Sequence, residues 1–246
     1  MPRFHCSTPL AANTSLALPA GAARHVQVLR LQPGDAITLF DGLGGEYAAT
    51  VERMGRSEVT VDVGAHDPVE REASRSVHLA MGMPANERMD WLIEKATELG
   101  AASFQPLMTA HGVLRLSGER ADKKTAHWQA VAISACEQCG RNRVPVVHPI
   151  VAVNAWLASL GTADAAANGR GARLLLGFGA DAQAIDFAVS AATADASFTL
   201  LSGPEGGLDA NEQRAAATHG FVMTTLGPRV LRAETAPLAA LMALTS

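Results

Sequence analysis

The chain of 246 residues has few cysteines, few aromatic residues and no excess of positive charge. Its three cysteines are too few, and odd in number, for the disulfide framework of a secreted domain. Lys and Arg number 20 against 24 Asp and Glu, which excludes a protein that coats nucleic acid indiscriminately, because such binding needs an excess of cations. No apolar run reaches the ~18–20 residues of a membrane-spanning helix, and no signal-peptide core is present. These absences predict a reduced, cytoplasmic protein with no membrane segment.

The remaining composition favours a folded protein of one large or two modest domains, since 48% of the residues are hydrophobic and 18% are charged. Residues 1–64 predict a small β domain, a barrel or sandwich without helices, with strands at Ala36–Phe40, Tyr47–Val51 and Val59–Val63. The polar segment Ala65–Ser76 is typical of a linker.

Residues 71–246 alternate between strand and helix patterns, which predicts an α/β domain with a largely parallel sheet. The predicted strands lie at Phe104–Met108, Val144–Ile150, Arg173–Phe178, Ser197–Ser202 and Phe221–Leu226. A stretch rich in Ala, Gly and Asn, Gly161–Gly171, predicts a loop.

A helix predicted at Arg120–Gln138 carries a basic stripe and an apolar stripe. Arg120, Lys123, Lys124 and His127 fall at i, i+3, i+4 and i+7, and therefore on one face. Residues 115–143 hold six Lys and Arg against three acidic residues, so this segment is basic within an acidic chain. The stripe is consistent with RNA binding or with an ordinary solvated face.

Two cysteines near the end of that helix, Cys136 and Cys139, have the spacing of a metal or redox pair. A second Cys or His pair at zinc spacing is absent, and redox pairs normally occupy a helix N-terminus. These cysteines are therefore interpreted as residues of the core or of a site lining, and no metal is expected.

Three segments rich in glycine or proline follow predicted strands. Gly177–Ala182 fits the dinucleotide pattern G-x-G-x-x-A, but the acidic residue expected at the end of the next strand is missing. Gly203–Gly207 forms a tight loop before a helix that begins with a capping box of Asp209 and Glu212. Leu226–Arg232 contains a Gly-Pro turn with two arginines. Ligands of α/β proteins bind at the carboxyl ends of strands, so these loops are the candidate site.

Several strings, spread in order over nearly the whole chain, together resemble one family. They are Met1–Phe4, His25–Arg30, Glu87–Asp90, Lys95–Gly100, Ile133–Pro145, Leu201–Gly207 and Leu226–Ala236. The most specific are Cys136-Glu-Gln-Cys-Gly-Arg141, Leu201-Ser-Gly-Pro-Glu-Gly-Gly207 and Leu226-Gly-Pro-Arg-Val-Leu-Arg232. The chain is thereby similar to the bacterial 16S rRNA (uracil-N3)-methyltransferases, the RsmE family of the SPOUT superfamily.

The resemblance implies an N-terminal PUA-like β-barrel that binds RNA (1–70) and a SPOUT α/β methyltransferase domain with a trefoil knot (71–246). It further implies a homodimer that acts on 16S rRNA of the small ribosomal subunit, with S-adenosylmethionine as methyl donor. The implied donor-binding residues are Leu176, Leu201, Gly203, Glu205, Gly206, Gly207, Leu226, Gly227, Val230, Leu231 and Arg232. The implied RNA-binding residues are Arg3, Arg30, Arg120, Lys123, Lys124, Arg141, Asn142 and Arg143.

For catalysis we expect Arg232, or an arginine of the pair Arg141 and Arg143, to stabilise the imide charge that develops at uridine N3. Glu205 or Glu234 is the expected proton acceptor. The chain departs from the family at Thr109-Ala110-His111, where an arginine is common. Two alternatives stay open: a non-catalytic RNA-binding or ribosome assembly factor, and a nicotinamide enzyme that uses Gly177–Ala182.

Overall fold

The computed structural model describes residues 1–56, 58–85, 87–161 and 171–246. The predicted loop Gly161–Gly171 lies outside the described residues, apart from its two end residues. The chain forms two compact units. The first unit consists of Met1–Glu72 and Ile133–Val144, and the second of Ala73–Ala132 and Pro145–Ser246. The predicted division has a single boundary at residue 70, whereas in the structure the later segment Ile133–Val144 also belongs to the first unit.

Among the described residues, the first unit is built on a five-stranded sheet, helix α1 and the last residues of a helix that begins in the second unit. Its elements are β1 (Arg3–His5), β2 (Thr14–Ala17), α1 (Ala20–Val28), β3 (Ala36–Phe40), β4 (Glu46–Met54) and β5 (Val59–Asp67). The strand order is β1-β3-β4-β5-β2, with β1 parallel to β3 and the other pairs antiparallel. Alternate residues of β5 (Val59, Val61 and Val63) point into the core, as the period of two predicts.

Helix α1 differs from the prediction of a β domain without helices. Ala22, Ala23 and Val26 are buried on one face of this helix and pack into the same core as the strands. Two of these three residues are alanines, which occupy exposed and buried helix positions alike, so the apolar periodicity is weak.

The second unit contains a parallel sheet of eight strands. Its elements are β6 (Ser76–Gly82), α2 (Arg88–Glu98), β7 (Ser103–Met108), β8 (Val146–Val147), β9 (Val151–Ala152), α4 (Val153–Ser159), β10 (Gly171–Leu176), β11 (Gln183–Ala184), α5 (Ile185–Ala191), β12 (Ser197–Ser202), α6 (Ala210–Thr218), β13 (Phe221–Thr225) and α7 (Thr235–Thr245). Helix α3 (Gly118–Cys139) begins in this unit and ends in the first one. The strand order is β11-β13-β10-β12-β6-β7-β8, and β9 also pairs with β7.

Successive residues of the central strands face opposite sides of this sheet. In β12, Leu200 packs into one core and Leu201 into the other; in β10, Leu174 and Leu175 divide in the same way. The first core takes residues from α2, α3, α5 and α7, and the second from α4 and α6. The unit is therefore a three-layer α/β/α structure, whose parallel strands are buried on both faces as expected.

Candidate functional site

A cavity of about 540 Å³ lies at the carboxyl ends of three adjacent strands, β13, β10 and β12. Each strand is followed by a segment that lines the cavity: Leu176–Phe178 after β10, Ser202–Gly207 after β12, and Leu226 with Arg229–Ala233 after β13. Parallel strands end at one edge of the sheet, which is why segments distant in sequence meet here. The volume is in the range of small-molecule sites.

Most residues that the sequence analysis assigns to donor binding line this cavity. They are Leu176, Gly203, Glu205, Gly206, Gly207, Leu226, Val230, Leu231 and Arg232. Leu201 is instead fully buried in the core beneath the loop. Gly227, also outside the lining, has a φ of +103° and makes the turn that follows β13.

The loop Gly203–Gly207 closes tightly on itself. A Cβ on Gly203 would lie 2.7 Å from the carbonyl carbon of Gly207, so a larger residue at 203 would force the loop open. The N–H of Gly207 donates to the carbonyl of Pro204 at 2.8 Å. Helix α6 follows, and the predicted capping box is confirmed: Asp209 accepts from the N–H of Glu212, and Glu212 accepts from the N–H of Asp209.

Arg88, which the sequence analysis does not assign to the site, lines the cavity and holds Glu205. Its Nη1 donates to Oε1 of Glu205 at 2.9 Å, and the N–H of Ala85 donates to the same oxygen at 3.0 Å. Burial alone would raise the pKa of the Glu205 carboxyl, but these hydrogen bonds and the Arg88 cation lower it overall. Glu205 is therefore held as an anion.

The side chain of Glu234 has fewer polar contacts than that of Glu205. Its Oε1 lies 4.0 Å from Nε of Arg88, and its Oε2 is buried without a hydrogen-bond partner among the described residues. It precedes α7, whose first N–H groups bond back to the carbonyl of Arg232. Arg232 itself is exposed at the cavity, and within the described part of the chain its guanidinium forms no ion pair.

The departure from the family pattern at Thr109-Ala110-His111 lies against the glycine-rich loop. Nδ1 of His111 is 2.9 Å from the carbonyl oxygen of Gly206, and the N–H of Ala110 donates to Oε1 of Glu212 at 2.7 Å. A Cβ on Gly206 would lie 2.8 Å from that of His111. His111 thus contacts the loop at Gly206.

The basic stripe of α3 is largely engaged in ion pairs. Nζ of Lys124 and Nε2 of His127 contact Asp90 at 3.0 and 2.7 Å, and Lys123 pairs with Glu119 at 2.7 Å. Arg120 is exposed.

Of the predicted RNA-binding residues in the first unit, Arg30 and Arg143 are exposed. Arg3 pairs with Glu46 and donates to Oδ1 of Asn142. Arg141 and Asn142 are 5% and 0% exposed, and Arg141 forms an ion pair with Glu72. Since their side chains are buried within the unit, we leave Arg141 and Asn142 out of the candidate catalytic and RNA-binding sets.

The described ranges contain neither a metal-binding cluster nor a membrane-spanning helix. Within them no group of three or more His, Cys, Asp or Glu side chains is placed to hold a metal ion, and the three cysteines are free thiols. The same residues include no helix both long and apolar enough to cross a membrane.

Comparison with known proteins gives consistent matches over both units. Residues 71–245 match the RNA methyltransferase domain family, and residues 18–64 match the RNA methyltransferase PUA domain family. A ribosomal RNA small subunit methyltransferase E from Bacillus subtilis is 32% identical over 89% of this chain and 85% of its own length. A protein of the same name from Mycobacterium bovis is 34% identical over 87% of this chain and 79% of its own.

A solved structure is similar to this chain over nearly the whole length of both proteins. The crystal structure of a ribosomal RNA small subunit methyltransferase E from Neisseria gonorrhoeae, bound to S-adenosyl methionine, superimposes with a TM-score of 0.89. It is 34% identical and covers 99% of this chain and 96% of its own.

Proposed function

Since the chain belongs to the ribosomal RNA small subunit methyltransferase E family of RNA methyltransferases, we propose that it methylates N3 of a specific uridine in 16S rRNA, with S-adenosylmethionine as the methyl donor. The observation that carries this proposal is the cavity formed by the loops after β10, β12 and β13. The family resemblance implies that these three loops bind the donor. In this structure they line one continuous cavity.

The lining suits the proposed donor. Leu176, Leu226 and Leu231 provide apolar surface for an adenine ring, while the glycines of the loop after β12 leave backbone N–H and C=O groups accessible. The lining also carries Arg88, Arg229 and Arg232 beside the ionised carboxylate of Glu205, so it offers partners to the carboxylate as well as to the cationic groups of the proposed donor. When bound, S-adenosylmethionine supplies an electrophilic methyl group on a sulfonium ion.

Arg232 lines the donor cavity, and Oε1 of the nearby Glu234 lies 4.0 Å from Nε of Arg88, so we assign these two residues to the chemistry at uridine N3. Arg232 is exposed at the cavity and carries a full positive charge, so it is placed to stabilise the imide anion that forms as N3 loses its proton. Of the two candidate acceptors, Glu205 is occupied by Arg88 and Ala85, whereas Glu234 retains an oxygen without a partner among the described residues. We assign proton acceptance to Glu234 and loop positioning to Glu205.

RNA contacts in this proposal come from exposed cations of each unit: Arg30 and Arg143 in the first, Arg120 and Lys123 in the second. Cations on an exposed surface neutralise phosphates without base specificity. The proposal also includes the cytoplasmic location, the homodimer and the trefoil knot that the family resemblance implies.

The proposal is tested by incubating the pure protein with S-adenosylmethionine and with either free 16S rRNA or assembled small subunits. Mass mapping of nuclease fragments then locates any added methyl group, and a stop in primer extension confirms N3. Methylation of a single uridine is expected. Calorimetry separates the alternatives: a non-catalytic assembly factor would bind no S-adenosylmethionine, and a nicotinamide enzyme would be stabilised by a reduced nicotinamide cofactor instead.

A further inference from the structure

A second, open cavity of about 700 Å³ adjoins the first at Arg88. Its lining consists of Ala85, Glu87, Arg88, Asp90 and Lys124. Arg88 lines both spaces, and the hydrogen bond from Ala85 to Glu205 joins their walls. We call this second space the Arg88 groove. A substrate in the groove therefore lies beside the space assigned to the methyl donor.

Asp90 fixes the polar side chains of the groove. Its carboxylate accepts from Nζ of Lys124 at 3.0 Å, from Nε2 of His127 at 2.7 Å and from Nε1 of Trp128 at 2.9 Å. Trp128 is fully buried, and Nζ of Lys124 also lies 5.2 Å from the centre of its ring. A lysine held in this way loses less conformational entropy on binding a ligand than a free one does.

The charges of the groove are compensated in pairs. Arg88 pairs with Glu205, and Lys124 pairs with Asp90, while Glu87 adds another carboxylate. A phosphate-binding surface presents uncompensated cations, because phosphate affinity comes from counterion release. The Arg88 groove instead presents donors and acceptors with little net charge, which suits a neutral, polar ligand.

Donor capacity remains on both cations. A guanidinium has five N–H groups, and the contact with Glu205 uses one of those of Arg88. An ammonium has three, and Asp90 takes one of those of Lys124. Uracil is neutral and carries two carbonyl acceptors on either side of N3–H, so it matches this arrangement.

We propose that the Arg88 groove is the binding site of the target uracil base, with Arg88 and Lys124 donating hydrogen bonds to its carbonyl oxygens. This inference rests on the proposed function. In the reaction, N3 releases its proton to the Glu234 carboxylate and forms a bond to the methyl carbon. The bond from that carbon to sulfur breaks, and its electron pair stays on sulfur as a neutral thioether. The proton then passes from Glu234 to water.

The test compares Lys124→Gln, Arg88→Gln and Arg88→Lys with the unaltered protein. Steady-state methylation of 16S rRNA, calorimetry with S-adenosylmethionine and the salt dependence of RNA binding are measured for each. Lys124 does not line the donor cavity, so Lys124→Gln is expected to lower kcat/KM for RNA about 10-fold or more while the Kd for S-adenosylmethionine changes less than 3-fold. Arg88→Gln should lower kcat/KM for RNA about 100-fold. Arg88→Lys should lower kcat/KM less than Arg88→Gln does, because it keeps the positive charge.

Salt dependence distinguishes a base site from a phosphate site. Lys124→Gln and Arg88→Gln should leave the slope of log K against log salt unchanged, whereas loss of a phosphate contact, as expected for Arg120→Ala, reduces it by about 1. Arg214→Ala, an exposed arginine on α6, is the matched control for charge loss outside the site. A reduced slope for either groove variant, or unchanged kcat/KM for both, overturns the inference. If the unaltered protein transfers no methyl group to 16S rRNA, the proposed function fails as well.

Discussion

Arg141 forms a fork with Glu72, in which Nε of the arginine lies 3.1 Å from both carboxylate oxygens. The arginine side chain is 6% exposed and the glutamate side chain 21%. Both ends of this pair belong to the first unit, although Arg141 enters it on the segment that follows α3. The position of Arg141 next to the Cys-Glu-Gln-Cys string thus serves the packing of this unit.

Arg141→Ala is therefore expected to destabilise the protein rather than to impair chemistry. Removing one partner leaves the other charge poorly compensated, which costs about 3 kcal/mol in typical buried pairs. Denaturant unfolding measures this loss, and Arg143→Ala, an exposed neighbour, is the control. A variant of unchanged stability that has lost methylation would restore Arg141 to the catalytic set.

Arg232→Ala is expected to reduce methylation at least 100-fold. The residue is exposed at the cavity, and its backbone carbonyl rather than its side chain starts α7, so truncation removes the charge without breaking the helix start. Methyl transfer to 16S rRNA gives the rate, and light scattering checks that the oligomeric state matches that of the unaltered protein. Retained activity would eliminate Arg232 as the stabilising cation.

Gly203→Ala is expected to weaken S-adenosylmethionine binding by 10-fold or more. The added Cβ would meet the backbone of Gly207 at 2.7–2.8 Å, and backbone cannot rotate away as a flexible side chain can. Calorimetry measures the Kd. Gly179→Ala is the matched control, since a Cβ there meets nothing within 4 Å and Gly179 does not line the cavity. Equal affinities for the two variants would contradict the role assigned to the loop.

Glu46 makes the stability of the first unit decrease at acidic pH. Burial alone would raise the pKa of its carboxyl, but hydrogen bonds from Arg71, Arg3 and Asn142 outweigh it and lower the pKa from 4.5 to about 2. A lowered folded-state pKa stabilises the fold above pH 4.5, and this contribution is lost as the pH falls from 4.5 towards 2.

At pH 7 the contribution of Glu46 amounts to at most about 3 kcal/mol. Glu46→Gln should therefore lower the free energy of unfolding most at pH 7 and least near pH 3. Urea unfolding at intervals of one pH unit provides the comparison. A difference between the two proteins that does not change with pH would show that the pKa of Glu46 is the same in the folded and unfolded states.

The cysteines are expected to react with thiol reagents in two phases. Burial raises the pKa of both Cys6 and Cys136 to about 12, so neither thiol is ionised near neutral pH. Cys139 is only partly buried and should react first, at one thiol per chain. Cys139→Ser should remove the fast phase. A native protein that yields no reactive thiol until it is reduced would indicate a disulfide, contrary to the structure.

Features that depend on neighbouring residues could be predicted from the sequence. The capping box at Asp209 and Glu212 is local, and so are the strands β3, β10 and β12, whose apolar runs bury them. The loops after the parallel strands could be grouped into one site because the fold class brings carboxyl ends together.

Features that depend on partners distant in the chain could not be predicted from the sequence. Arg88 meets Glu205 across 117 positions of the chain, and Arg141 meets Glu72 across 69. The local sequence pattern does not distinguish an arginine that is buried in the fold from one that is exposed to solvent. For that reason Arg88 was absent from the predicted site while Arg141 was included in it.

Helix α3 has a consequence for how the protein is made. The first unit ends on Ile133–Val144, which carries Arg141, the partner of Glu72, and Asn142, the partner of Arg3. A translated fragment that stops near residue 72 lacks these partners. During synthesis the N-terminal unit therefore lacks these two partners until Val144 has left the ribosome, and a transplanted N-terminal unit would need Ile133–Val144 to keep them.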